Sequence, residues 1–149
     1  MRAVLMAALL ASLLSACIDE PVEDDTGGPP ASGPAPAPEV SGTYDTKVKL
    51  IRTTCSAIQV EDRPTTVDQS GASITLTHGP LTYTASVDDL GSFTTEPQEV
   101  EVGPDTHRLA VTGSFHDDRL VAVVTAHVSG SRTCRYSVAW KGAAQQKQL

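Results

Sequence analysis

The chain has 149 residues, 40% of them hydrophobic and only 4% aromatic, with a formal net charge of −7. That length holds one small domain with a modest core, and the acidic balance argues against a nucleic-acid binder. The charge is unevenly spread: from residue 42 onward twelve Asp and Glu face ten Lys and Arg, and the other six acids lie between residues 19 and 39.

The first seventeen residues are built like an export signal. Arg2 gives a short positive start, residues 3–14 are apolar but too few to span a bilayer stably, and small Ser15 and Ala16 precede Cys17, after which the chain turns acidic. Leu14-Ser15-Ala16-Cys17 resembles the lipobox of bacterial lipoproteins at all four positions. The resemblance implies a signal peptide at residues 1–16, cleavage before Cys17, a diacylglycerol on its sulfur and a further acyl chain such as palmitate on the new amino group. The membrane is then a partner of the chain. One acyl chain binds marginally, whereas several, at ~0.8 kcal/mol per buried methylene, anchor durably. The next residue is Ile18. In that family's sorting rule an Asp there retains the protein at the inner membrane, so the expected location is the cell envelope, at the outer membrane.

Residues 17–41 read as the lipidated cysteine followed by a tether. From residue 18 the stretch carries six acids, no Lys or Arg, and six of the ten prolines, including "GGPPASGPAPAP" at residues 27–38. It cannot bury enough apolar surface to offset its ordering entropy, so disorder is expected. Its 24 residues at ~3.1 Å each reach at most about 75 Å.

Residues 42–142 change character again. Short alternating runs rich in Thr, Val and Leu predict strands near residues 43–53, 65–69, 73–78, 81–87, 91–95, 99–102, 106–115, 119–128 and 132–140. The stretches "QSGA", "THGP", "DDLG", "VGPD", "HDD" and "SGS" supply the reversals. Alternation places Val48, Leu50, Ile74, Leu76, Tyr83, Val87, Phe93, Leu109, Val111, Phe115, Leu120, Val124, Val138 and Trp140 on one dry face. Thr75, Thr84, Arg108, Thr112 and Arg135 fall on the wet one. The expected fold is all-β, a small antiparallel up-and-down β-barrel, with an immunoglobulin-like β-sandwich as the alternative. Residues 143–149 read as a frayed tail.

With Cys17 lipidated, two cysteines remain in an oxidising compartment, and Cys55 and Cys134 are expected to form one disulfide between the first and last strands. The Gly42-Thr43-Tyr44 start, the Thr-rich hairpins and a closing strand with Tyr136 and Trp140 resemble lipocalin-like β-barrels, with Tyr44 where that family's first-strand signature has Trp. The resemblance implies a barrel whose interior holds a small apolar ligand.

The chain has no Gly-x-Ser-x-Gly, no phosphate-binding glycine loop, no His-Glu-x-x-His and no Cys-x-x-Cys. His78 and His116 read as turn residues, and His107 and His127 as outward-facing strand residues. Asp88-Asp89 and Asp117-Asp118 read as turn caps. The expectation is a non-catalytic protein without cofactor or metal, binding a small apolar ligand lined by Tyr44, Tyr83, Phe93, Phe115 and Trp140. Small inward Ala85, Ala122 and Gly113 either leave room for it inside the barrel or are matched across it by Trp140, Tyr83 and Phe115. The alternative is a structural or protein-interaction module with a filled core, although no motif names a protein partner.

Overall fold

The computed structural model describes residue 33 and residues 35–145, so the signal segment, Cys17 and the tether up to residue 32, with residue 34, lie outside the described residues. Within them the chain forms nine strands: β1 Gly42–Thr53, β2 Arg63–Ser70, β3 Ser73–His78, β4 Leu81–Val87, β5 Ser92–Thr95, β6 Gln98–Val102, β7 Asp105–His116, β8 Arg119–Gly130 and β9 Cys134–Ala144. Alternation decides which way each strand faces. In β8 every second residue from Leu120 to Val128 is buried, while Val121, Val123, Thr125 and His127 are exposed. Two-residue loops at Gly71-Ala72 and Gly79-Pro80 hold their glycines at φ +62° and +58°, the first position of a tight hairpin turn, which a side chain resists.

All strand pairings are antiparallel. The order β5-β4-β3-β2-β1-β9-β8-β7-β6 closes into a ring of eight because β5 also pairs with β7, and β6 lies outside the ring on β7. The first and last strands meet from Tyr44↔Ala144 to Thr53↔Tyr136. The fold is therefore a closed up-and-down barrel and not a two-layered sandwich. Strand β9 runs to Ala144, past residue 142, because β1 needs partners as far as Tyr44, and the Gln145 amide adds a bond to the Thr43 carbonyl at 2.8 Å. The chain also begins to pack before residue 42. Val40 is buried, its amide donates to Gln69 Oε1 at 2.6 Å, and Gln69 Nε2 donates to the Pro38 carbonyl at 2.8 Å.

The two ends of the barrel differ because the strands differ in length. β1, β7 and β8 have twelve residues each and β9 eleven, against eight, six, seven and four in β2 to β5. β2 pairs with β1 only over Gly42–Thr46, and β5 pairs with β7 only over Thr112–Ser114. Beyond those points β6, β7, β8, β9 and β1 continue as a curved five-stranded wall with no pairing to β4 or β2. One end of the barrel is thus closed and the other is open on one side.

The closed end is filled. Tyr44, Phe93 and Phe115 meet there, with ring centroids 5.6 Å apart for Tyr44–Phe115 and 5.2 Å for Phe93–Phe115. Tyr44 Oη donates to the Val40 carbonyl at 2.8 Å. Leu76 and Leu120 are inaccessible to solvent, and truncating either to Ala is a change of the class that costs about 2–5 kcal/mol. Gly113 and Ala122 leave no room between them. A Cβ on Gly113 would stand 2.6 Å from both Ala122 Cβ and the Val121 carbonyl oxygen, so glycine is what lets β7 and β8 approach, and Phe93 pairs beside it.

Cys55 and Cys134 form a disulfide with Cα atoms 5.2 Å apart across 79 residues of sequence. It ties the segment after β1 to the start of β9. Closing a loop of that length in the unfolded chain corresponds to about 4.5 kcal/mol in the chain-entropy model. Replacing both cysteines by Ser is expected to lower the unfolding free energy by most of that, read from the urea midpoint. A loss below about 1 kcal/mol would mean that strand pairing alone holds the seam.

Candidate functional site

A cavity of about 270 Å³ occupies the open end of the barrel. Val48, Leu81, Leu109, Val124, Val138 and Trp140 give it an apolar wall, with His78, Tyr83 and Tyr136 as polar side chains among them. Its rim is Gln59, Val60 and Glu61 of the 54–62 segment together with Arg63. The volume equals that of about nine waters at ~30 Å³ each, near the lower end of small-ligand sites.

The wall is held by specific contacts. The His78 ring stacks on Trp140 at 4.3 Å, and Tyr83 meets Trp140 edge-on at 6.1 Å. Hydrogen bonds run from His78 Nδ1 to Thr65 Oγ1 at 2.9 Å and on to Thr46 Oγ1 at 2.8 Å, a polar line through β3, β2 and β1. On the other wall His107 Nδ1 and Tyr136 Oη lie 3.1 Å apart.

The rim is fixed as firmly. The buried Asp105 carboxylate accepts from Ser131 N and Oγ at 2.9 and 2.7 Å and from Arg132 Nε at 3.0 Å, and Arg132 Nη1 donates to the Ser56 carbonyl at 3.0 Å. These bonds join the turns before β7 and before β9 to the 54–62 segment, beside the disulfide. The Ser131 hydroxyl first, with the Ser131 and Arg132 amides and the Arg132 guanidinium, holds the Asp105 carboxyl below the usual carboxylate range. At its far end the segment is fastened by Asp62, which accepts from the Val48 amide at 2.8 Å and from Lys47 Nζ at 3.0 Å.

Three buried polar atoms near this end have no hydrogen-bond partner among the described residues: Tyr83 Oη, Gln98 Nε2 and His107 Nε2. The Gln98 side chain is close enough to favour ionisation of Tyr83, but not in the geometry of a made bond. Burial dominates and, with Tyr136 adding to it, pushes the Tyr83 hydroxyl up to about 12. Burial likewise raises Tyr136. Leaving such groups unpaired is unfavourable, by about 1–3 kcal/mol each, and proteins keep few of them.

The five aromatics named from the sequence fall in two places. Tyr83 and Trp140 line the cavity, whereas Tyr44, Phe93 and Phe115 pack together at the closed end. Three histidines sit differently from the sequence reading. His107 is buried, at 7% exposure, because it shares the parity of Leu109 and Val111 and so faces inward. His78 is the last paired residue of β3 and not a turn residue, and it is buried at 8%. His116 is the last paired residue of β7, again not a turn residue, and is exposed, as is His127. Gln98 carries no signal in the sequence; it follows Pro97 on a strand that lies outside the ring. Among the described residues no group of three or more His, Cys, Asp or Glu is placed to hold a metal ion.

Fold and site together define an eight-stranded antiparallel barrel with one filled end and one open, apolar cavity. No protein-family model, curated protein or solved structure matches this chain.

Burial, and after it the positive charge of Arg63, holds His78 below its ordinary value of 6.5. The unfolded chain therefore takes up this proton before the folded one as pH falls. The contribution to stability is complete above pH 6.5 and is lost as pH drops toward the folded-state value. The melting temperature is expected to fall between about pH 7.5 and 5, and less steeply in His78→Asn. Equal slopes in the two proteins would show that His78 does not couple folding to protons.

Proposed function

We propose that this protein is a non-catalytic, lipid-anchored carrier or sensor of the bacterial envelope, in which a lipocalin-like barrel binds one small, largely apolar molecule at its open end. The observation that carries the reading is an apolar cavity of about 270 Å³ walled in part by Tyr83, whose hydroxyl is closed to solvent and has no hydrogen-bond partner among the described residues. A core that only had to be stable gains by filling such a space and pairing such a group. The rim supports the reading too, because a disulfide, an Asp105–Arg132 pair and Asp62 hold the 54–62 segment beside the cavity. Pre-organised walls lower the ordering cost of binding. The alternative, a structural module with a filled core, fits the Tyr44–Phe93–Phe115 end and leaves the open end without a purpose.

Trp140 is the only tryptophan of the chain and lines the cavity, so its emission reports on occupancy. The neutral probe N-phenylnaphthylamine is expected to bind at one site and change that emission. Val124→Phe, which fills the cavity, should weaken it by about tenfold or more with little change in melting temperature. No saturable binding, or binding unaffected by Val124→Phe, would favour the structural module.

The anchor and the outer-membrane location rest on residues 14–18, outside the described residues. The mature protein from a bacterial envelope is expected to begin at Cys17 and to exceed its polypeptide mass by a diacylglycerol and an acyl chain. An unmodified thiol there would rule out the anchor.

A further inference from the structure

The state of one wall histidine narrows what the cavity can take, an inference that rests on the binding reading above. We infer that the ligand is a compact, uncharged, largely apolar molecule that donates one hydrogen bond, from an N–H or O–H, to Nε2 of His78. Three polar side chains stand in the apolar wall, His78, Tyr83 and Tyr136. Tyr83 Oη is closed to solvent, and Tyr136 Oη is taken by His107 Nδ1 at 3.1 Å. His78 is bonded through Nδ1 to Thr65. Its Nε2 has no hydrogen-bond partner among the described residues and, unlike His107 Nε2, is not closed off from solvent. The residue is otherwise buried, so the surface it keeps is the one that lines the cavity.

The hydrogen bonds behind the ring decide that this atom accepts. Thr46 Oγ1 donates its one proton to the Tyr44 carbonyl at 3.2 Å, so towards Thr65 it can only accept. Thr65 Oγ1 therefore donates to Thr46 at 2.8 Å and must accept from His78 Nδ1 at 2.9 Å. The proton of the neutral imidazole then sits on Nδ1, and Nε2 carries a lone pair. Burial, and after it the charge of Arg63, holds the ring below its ordinary value of 6.5, so at neutral pH it is uncharged. A ligand entering the cavity takes solvent away from Nε2. One with a donor replaces the lost bond, whereas one without leaves a buried acceptor unpaired. A charged donor such as an ammonium is disfavoured, because the wall is apolar and Glu61 at the rim is already engaged by Arg63 at 2.6 Å.

The test compares three probes of one shape: indole with an N–H donor, benzofuran with an acceptor oxygen in its place, and indene with neither. Each is titrated by calorimetry into the purified chain at neutral pH. Indole is expected to bind at least about fivefold more tightly than benzofuran. Nitrogen NMR of the His78 ring is expected to show its proton on Nδ1. Thr65→Val removes the acceptor that holds this proton and keeps the shape of the side chain. It is expected to move the ring toward the other tautomer and to weaken indole by about threefold or more, with indene unchanged. His78→Asn keeps a polar group for Thr65 but has none at the Nε2 position, and is expected to abolish the preference for indole. Melting curves establish that both variants fold. Indene binding is the control that separates the two readings. If it binds and benzofuran equals or exceeds indole, or if the His78 proton lies on Nε2, the donor inference is overturned while the cavity remains a binding site. If indole is preferred equally in wild type and both variants, the assignment to His78 is overturned. If none of the three binds, the binding function falls and this inference with it.

Discussion

A sheet closed on itself has no unpaired edge only where its neighbours are equally long, and here they are not. β1 and β9 are nearly matched and form a long seam, but β2 leaves β1 after Thr46, and β5 leaves β7 after a few residues. Backbone groups that lose a strand partner need another one. On β1 the Val48 amide finds the Asp62 carboxylate, which pulls the returning 54–62 segment along the strand. On β7 the residues beyond Thr112 find β6, an added strand that continues the wall outside the ring. The cavity, its rim and the separation of the two ends all follow from this mismatch of lengths.

The same mismatch distributes the aromatic residues. At the closed end neighbouring strands face each other around the full ring, and Tyr44, Phe93 and Phe115 fill the space between them. Gly113 and Ala122 belong to that end as well, and their small size brings backbones together instead of opening a hole. At the other end Trp140 has His78 against one face and Tyr83 at an edge. A large flat side chain can pack against β3 and β4 there and still border open space, since part of the opposite wall is missing.

Much of this was legible in the sequence, and for a definite reason. Strands such as Leu120 to Val128 alternate strictly, and a period of two leaves little doubt about existence or facing. Gly, Pro and Asp at the reversals set the hairpins, and the two remaining cysteines, one just after the first strand and one in the last, fit one bond. The inequality of strand lengths could be seen from turn spacing alone. Where it opens the wall could not, because that depends on register between β1 and β2 and between β5 and β7. His107 was misread despite its parity with Leu109 and Val111, since a histidine in a strand was expected to face water. His78 was misread because the glycine and proline after it mark a turn that in fact starts one residue later. Gln98 lies beyond sequence reasoning of this kind. Its burial arises from where β6 is placed outside the ring, a tertiary fact.

The energetics of the two ends explain why the protein tolerates an imperfect interior. Each buried polar atom left without a partner costs about 1–3 kcal/mol, a large fraction of the roughly 5–15 kcal/mol that holds a small domain together. Tyr83, Gln98 and His107 carry such atoms, all near the open end. The groups that stabilise without adding to the core, the disulfide and the Asp105–Ser131–Arg132 cluster, are at that same end. A filled end supplies the packing, and covalent and ionic ties at the open end offset what its unpaired groups cost. Local rules of polar satisfaction are broken where the interior is open and obeyed where it is closed, which is the distribution expected if the open end is kept for a partner that completes it.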